Sequence, residues 1–482
     1  MVGRFSCRES EPVLQARRVP RQSTGDDMDS AMISAFRAAL AGGRQLVDGR
    51  GEFIRSGFWS LFLRIAGMAS GFALGVVLAR MLGPTEFGIY GLVTTLAAVG
   101  MTVAQLGTPQ LAVRELSVRG GRGDWSGAKT IIFEFGIATS AAGIAIGLLA
   151  LTGAAWAGVA PFVLLLILQG ALLTLLTAYT SLFAAELRGL GALLKGQSMD
   201  IAVRPALAFI IVGGLLLAGS KMNAMIALTI QNCVTFGAAI ISLVWVWRAI
   251  PKAGRRVPRA RAIPWLSMAL PLGAVDVLRQ ADASYSVILV GWLASGVELG
   301  VFRVAVACAV LATLPVTIFH ILLAPTLSRL NDSGEKSALQ RLLTWSSGAM
   351  VAVMIPVVLG CWLLGRLLIA FVFGPVYADG WLPLFLLAVA QLVYAFFGMG
   401  PILLAMCGGE RHLIKIYVVA VGAGIIVAAA LTLLLGAAAA ASGAILTAVI
   451  IGVGSRNYGR KELGVDISVL ALIRKTVPTG QG

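Results

Sequence analysis

Arg64, Arg80, Asp276, Arg279, Asp282 and Arg303 are charged residues that stand inside stretches otherwise apolar. Holding a charge near the centre of a bilayer costs about 2.5–3.5 kcal/mol on insertion scales, so a charge kept there faces a water-filled cavity or a partner. Four arginines against two aspartates would leave a cleft lined by them net basic. The planar fork of arginine matches phosphate through paired hydrogen bonds, so the chemistry these residues suit is the binding of an anionic, phosphate-bearing group. Asp276, Arg279 and Asp282 are spaced by three, which puts neighbours of the triplet on one helix face. They read either as an internal ion-pair cluster or as a polar site, and Asp276 or Asp282 is placed to carry a coupling proton or sodium ion. Arg80 and Arg303 lie near the ends of their apolar runs, where snorkelling to the interface competes with a role in a site. Arg64 lies deeper. Arg204, followed by Pro205, reads as a pairing residue at a helix distortion.

The elements that must position these groups are membrane spans. Of the 482 residues 58% are hydrophobic and only 12% charged, too apolar for a water-exposed surface. The apolar residues come in runs of about 20, enough to cross a bilayer. Spans are expected at 57–82, 87–112, 130–153, 160–185, 196–218, 222–247, 265–294, 299–325, 342–365, 380–406, 413–435 and 437–455. Continuous runs, without the alternation of a barrel strand, make them helices, the form that satisfies every backbone group inside lipid.

Basic residues cluster in the N-terminal tail, in the connection Arg248–Arg261, in alternate short connections and in the C-terminal tail. By the positive-inside rule both termini face the cytoplasm. The formal net charge of +16 then follows from topology and attraction to anionic lipid, and no compact basic module invites nucleic acid. The chain divides into a basic tail over 1–56, with an interfacial helix expected at 31–47, a first lobe over 57–248, a basic cytoplasmic linker over 249–263, a second lobe over 264–458 and a tail over 459–482. The five cysteines and two histidines are scattered, with no metal-ligand spacing. No phosphate loop of the GxxxxGK[ST] type occurs, and no long loop offers catalytic groups, so neither an enzyme nor a cofactor is expected.

The halves repeat. Leu78–Tyr90, LARMLGPTEFGIY, lies over Val290–Phe302, VGWLASGVELGVF, at an offset of 212, which pairs Glu86 with Glu298, Gly88 with Gly300 and Tyr90 with Phe302. Each carboxylate follows a turn, where it would stabilise the start of the following helix. An even number of spans per half inserts both copies the same way round, around an axis along the membrane normal. Gly67, Gly71 and Gly75 form a GxxxGxxxG face on the first span, which reads as a helix-packing seam or as a hinge.

The stretch LGVVLARMLGPTEFGIYGLV, its counterpart RQADASYSVILVGWLASGVELGVFRVAVA and the downstream LLAPTLSRL resemble the polysaccharide flippases, the Wzx-type branch of the multidrug/oligosaccharidyl-lipid/polysaccharide (MOP) exporter superfamily. The resemblance extends from about 57 to 460 and leaves the N-terminal extension unassigned. It implies an all-α polytopic membrane protein with about 12 transmembrane helices in two pseudo-symmetric six-helix lobes around a central cationic cleft. It further implies movement of an undecaprenyl-diphosphate-linked oligosaccharide from the cytoplasmic to the periplasmic leaflet of the inner membrane by alternating access. Carried over by helix position, it assigns Arg64, Asp276, Arg279 and Asp282 to substrate, with Arg80 and Arg303 beside them. Partners would be the lipid-linked oligosaccharide, the bilayer, a polysaccharide polymerase and a chain-length regulator. Competing readings are a drug or metabolite cation antiporter of the same superfamily, which calls for an acidic cavity, and a membrane-embedded polymerase or glycosyltransferase.

Overall fold

The computed structural model describes residues 50–251 and 263–471; the expected interfacial helix, most of the basic linker and the end of the C-terminal tail lie outside them. Ten helical runs among the described residues are long and apolar enough to cross a membrane. The first, Trp59–Gln105, has 47 residues and at 1.5 Å per residue would be about 70 Å long, twice what a bilayer of about 30 Å needs. Gly83, at φ 73 and ψ 174 and followed by Pro84, breaks it into two spans. A further helix, Ile263–Leu293, has 31 residues and falls outside the ten because Asp276, Arg279 and Asp282 interrupt its apolar sequence. Counting the broken run twice and adding this helix gives the expected twelve.

We number the α-helices α1 (Arg50–Gln105), α2 (Thr108–Gly121), α3 (Trp125–Trp156), α4 (Pro161–Gly189), α5 (Leu193–Gln197), α6 (Arg204–Leu217), α7 (Ala224–Ala249), α8 (Ile263–Leu293), α9 (Gly296–Ala312), α10 (Leu314–Asp332), α11 (Lys336–Val372), α12 (Trp381–Phe397), α13 (Gly400–Met406), α14 (Glu410–Leu435) and α15 (Ser442–Tyr458). Start signals are local: Asp124 and Asn223 accept backbone N–H bonds three residues on, from Gly127 and Ile226, and Ser295 forms a capping box with Glu298. Three expected spans are broken rods. The run 87–112 bends at Leu106 and Gly107, with φ of 51 and 78; 299–325 breaks at Thr313, just before Pro315; and 380–406 breaks at Gly398, with φ 63. Broken helices are tolerated in a membrane where protein or a cavity covers the freed backbone.

From Ser56 onward the described residues form one compact unit. In the first half α4 packs on α3 and α7; in the second, α14 packs on α8 and α15, and α11 on α12. Large apolar side chains point outward, Trp156, Leu363 and Leu434 among them, the inverse of a soluble surface and the pattern for lipid contact.

The two repeated turns meet each other where the halves join. A Cβ on Gly88 would lie 2.8 Å from the Gly296 carbonyl oxygen, and one on Gly300 would overlap the Pro84 carbonyl, so both glycines are required by close backbone approach. Near the same end the Tyr377 hydroxyl donates to the Ala79 carbonyl across the halves at 2.7 Å. At the opposite end Gly107 and Gly273 also pack backbone to backbone. Glu298 stabilises its own helix as expected, accepting from the Ser295 N–H at 2.9 Å. Glu86 does not. The chain resumes helix directly after the Gly83 bend, and Glu86 instead accepts from the Ala224 N–H at 2.8 Å, capping α7.

Candidate functional site

A cavity of about 300 Å³ lies between α1, α4, α6, α7 and α9, lined by Gly71, Gly75, Tyr90, Thr94, Thr177, Arg204, Gln231 and Arg303 among others. Two guanidinium groups and no carboxylate line it, so its charge is positive. Tyr90 lies within electrostatic reach of both arginines.

Arg204 is placed by a local irregularity. Between α5 and α6 the chain makes a π-helical turn, Ser198–Val203, and the extra residue of such a turn rotates everything after it by about 100° relative to a regular α-helix. Pro205 follows directly, at the start of α6. The first span docks on this turn: the Ser60 hydroxyl donates to Gln197 Oε1 at 2.6 Å, and a Cβ on Gly67 would overlap the Ile201 carbonyl. Gly67 is therefore a packing glycine. Gly71 and Gly75 are not, because a Cβ on either would meet no atom within 4 Å; they leave the cavity wall open, and the expected seam is confined to one of its three residues. Arg204 also forms the ion pair expected of it, loosely, with Asp200 at 3.8 Å.

Arg303 enters from the second half. Its side chain lies flat over Gly91, where a Cβ would come within 2.5, 2.6 and 2.7 Å of Arg303 Cγ, Cδ and Nε. The other expected site residues lie elsewhere. Arg64 is half-buried and sits within electrostatic reach of Arg188, which also feels Asp200. Arg80 is exposed and bonded to the end of α11. Asp276 accepts from Gln110 Nε2 at 2.6 Å, a bridge from α8 to α2, and Asp282 accepts from the Tyr394 hydroxyl at 2.8 Å, inside the second half. Arg279 is exposed, within electrostatic reach of His320 and Tyr417, and forms no ion pair with either aspartate. Of the six, only Arg303 lines the cavity. Its companion Arg204 escapes a sequence reading that treats it as structural, and Tyr90, Thr177 and Gln231 carry no signal beyond being polar groups in apolar runs. Among the described residues no group of three or more histidine, cysteine or carboxylate side chains is placed to hold a metal.

Comparison with known proteins follows the fold. Among curated proteins none matches this sequence. Among solved structures the chain is similar to an inward-facing multidrug resistance MATE family transporter of the MOP superfamily, at 12% identity and TM-score 0.65, over 87% of this chain and 100% of that one. It is similar to the lipid II flippase MurJ in an inward closed conformation, at 15% identity and TM-score 0.62, over 85% and 88%. It is also similar to a MOP superfamily transporter from Pyrococcus furiosus, whose binding pocket of reverse polarity suggests a different function for that protein, at 12% identity and TM-score 0.59, over 85% and 95%. At these identities the likeness is one of fold, two six-helix lobes around a cleft. The family model for polysaccharide biosynthesis proteins matches residues 53–331, more than half the chain, and with it the repeated turns and both cavity arginines. The chain belongs to the polysaccharide biosynthesis protein family; its helices are long and apolar enough for a multi-pass membrane protein, and its fold is that of solved MOP superfamily transporters.

Proposed function

We propose that the protein flips an undecaprenyl-diphosphate-linked oligosaccharide from the cytoplasmic to the periplasmic leaflet of the inner membrane, with both termini in the cytoplasm, for synthesis of a cell-surface polysaccharide. The observation that carries this reading is the cavity shared by Arg204 and Arg303 with no carboxylate in its wall. Two guanidiniums facing one space suit a diphosphate. The cation-antiporter reading calls for the opposite polarity, so the lining favours the lipid-linked glycan over an amphipathic cation. The likeness to a lipid II flippase supports a lipid-linked cargo.

Size refines the reading. A cavity of about 300 Å³ matches a diphosphate better than a whole oligosaccharide. The anchor in this arrangement is therefore the diphosphate, the prenyl tail stays in lipid, and the glycan needs the wider cleft that rocking of the lobes opens. Leaflet location tests the proposal. In spheroplasts lacking the protein, lipid-diphosphate-linked oligosaccharide should become inaccessible to outside labelling and accumulate inside, and R204A or R303A should reproduce the defect. Unchanged labelling, with no second flippase present, would remove the glycan cargo and put drug or metabolite export first.

A further inference from the structure

Gly91 and Arg303 occupy the same position in the two repeats: 91 plus the offset of 212 is 303, the offset that also relates Gly88 to Gly300. Both pairs are in contact across the halves. Where an element packs on its own repeat around a two-fold axis, residues nearest the axis meet their counterparts, as in an isologous interface. At positions 88 and 300 that is tolerable because both are glycine. Two arginines at 91 and 303 would collide and repel, and two glycines would leave the junction without a cation. The chain instead carries the arginine on one copy and the glycine on the other.

We infer that Gly91 is the positioning residue for Arg303: its missing side chain is the slot through which an arginine of the second half reaches the cavity of the first. The anion site is therefore assembled from both halves, Arg204 from one and Arg303 from the other. It exists while the halves touch near Gly88 and Gly300, and parting them there withdraws Arg303 with α9 and leaves Arg204 alone. Loss of half the positive charge lets a bound diphosphate go on the side to which the cleft opens. This inference rests on the anion-binding reading of the preceding subsection.

Binding of inorganic pyrophosphate to the full-length protein in neutral-lipid nanodiscs tests both, separably. R303A should weaken binding at least tenfold, G91A should weaken it comparably, and G91A/R303A should be no weaker than R303A alone, because a residue that acts only by seating Arg303 has nothing to add once that side chain is gone. A general packing defect would add instead, and losses that multiply in the double variant, or a G91A protein that binds like the unaltered one, would overturn the assignment. If G91A alone fails to fold, G91A/R303A should restore folded protein by removing the overlapping side chain; failure to do so counts against the pairing. A lock supplies the second arm. A Cβ on Gly296 would lie 3.9 Å from the Thr85 Cβ, within the span of a disulfide. With the five native cysteines replaced, oxidised T85C/G296C should bind pyrophosphate at least as tightly as its reduced form, and R303A should weaken both. Tighter binding by the reduced form would overturn the shared site. No binding by the unaltered protein would overturn the anion reading itself, and this inference with it.

Discussion

Arg80 clamps the last turn of α11 from the other half of the molecule: its Nε donates to the Val372 carbonyl and its Nη2 to the Phe371 carbonyl, each at 2.8 Å. These carbonyls end a helix, where the dipole is negative and the last C=O groups lack intrahelical partners. A hydrogen bond to a charged group contributes about 1.5–3 kcal/mol when shielded, and exposure of Arg80 places this pair toward the lower end. R80A should shift the protein about tenfold toward arrangements open at the Gly83 end, and R80K, a single point charge, should fall between. Alkylation of T85C by an impermeant maleimide reads this; an unchanged rate in R80A would mean the clamp does not hold the halves.

The glycines of GxxxGxxxG should part company. G67A puts a methyl group into the Ile201 carbonyl, a backbone atom that cannot turn aside, and should cost about 1–3 kcal/mol, the range for overpacking. G71A meets open space and should leave the thermal midpoint in detergent near that of the unaltered protein. Equal losses would mean that both glycines pack.

Asp282 is held by the Tyr394 hydroxyl within the second half, away from the basic cavity. If it carries the coupling ion, D282N should abolish dependence of transport on the proton or sodium gradient while pyrophosphate binding stays unchanged. Gradient-driven transport that survives in D282N and in D276N would remove both aspartates from coupling.

Beyond the last span, Asp466 pairs with Arg456 at 2.8 Å and accepts from the Ser468 N–H and hydroxyl. Burial pushes the carboxyl up, but the Arg456 and Ser468 bonds outweigh it and hold it at about 2. A value below the ordinary 3.9 or so means the pair stabilises the folded chain fully above about pH 4 and loses that contribution as pH falls through about 2. D466N should therefore lower the thermal midpoint at pH 7, by about 1–3 kcal/mol of stability, and the gap from the unaltered protein should narrow only below pH 4. A gap that closes between pH 5 and 7 would point to a different group.

The spans were legible because hydropathy is a sum over twenty residues and survives local irregularity. The turn at Gly83 and Pro84 and the helix-start role of Glu298 were legible because their signals are local. Of the residues expected in a basic cleft, Arg303 lies in the wall of the cavity described above. The distortion and the pairing read for Arg204 are both present, as a π turn and an ion pair with Asp200; what was not legible is that the same side chain lines the cavity, because a π turn changes which way every later side chain faces. The contacts of Arg80 were not legible for another reason: its partners are main-chain carbonyls of α11, nearly three hundred positions away in sequence, and carbonyl groups leave no mark on residue identity.

Gly88 and Gly300 have one more consequence. Their junction brings main chain against main chain, with the Leu299 and Thr85 side chains beside it. A backbone contact this close is the fulcrum on which the halves would tilt. Any bulk added there, even a methyl group, turns the bearing into a wedge. A substitution of this kind should therefore slow the cycle and, by parting the halves, weaken the anion site that Arg303 completes.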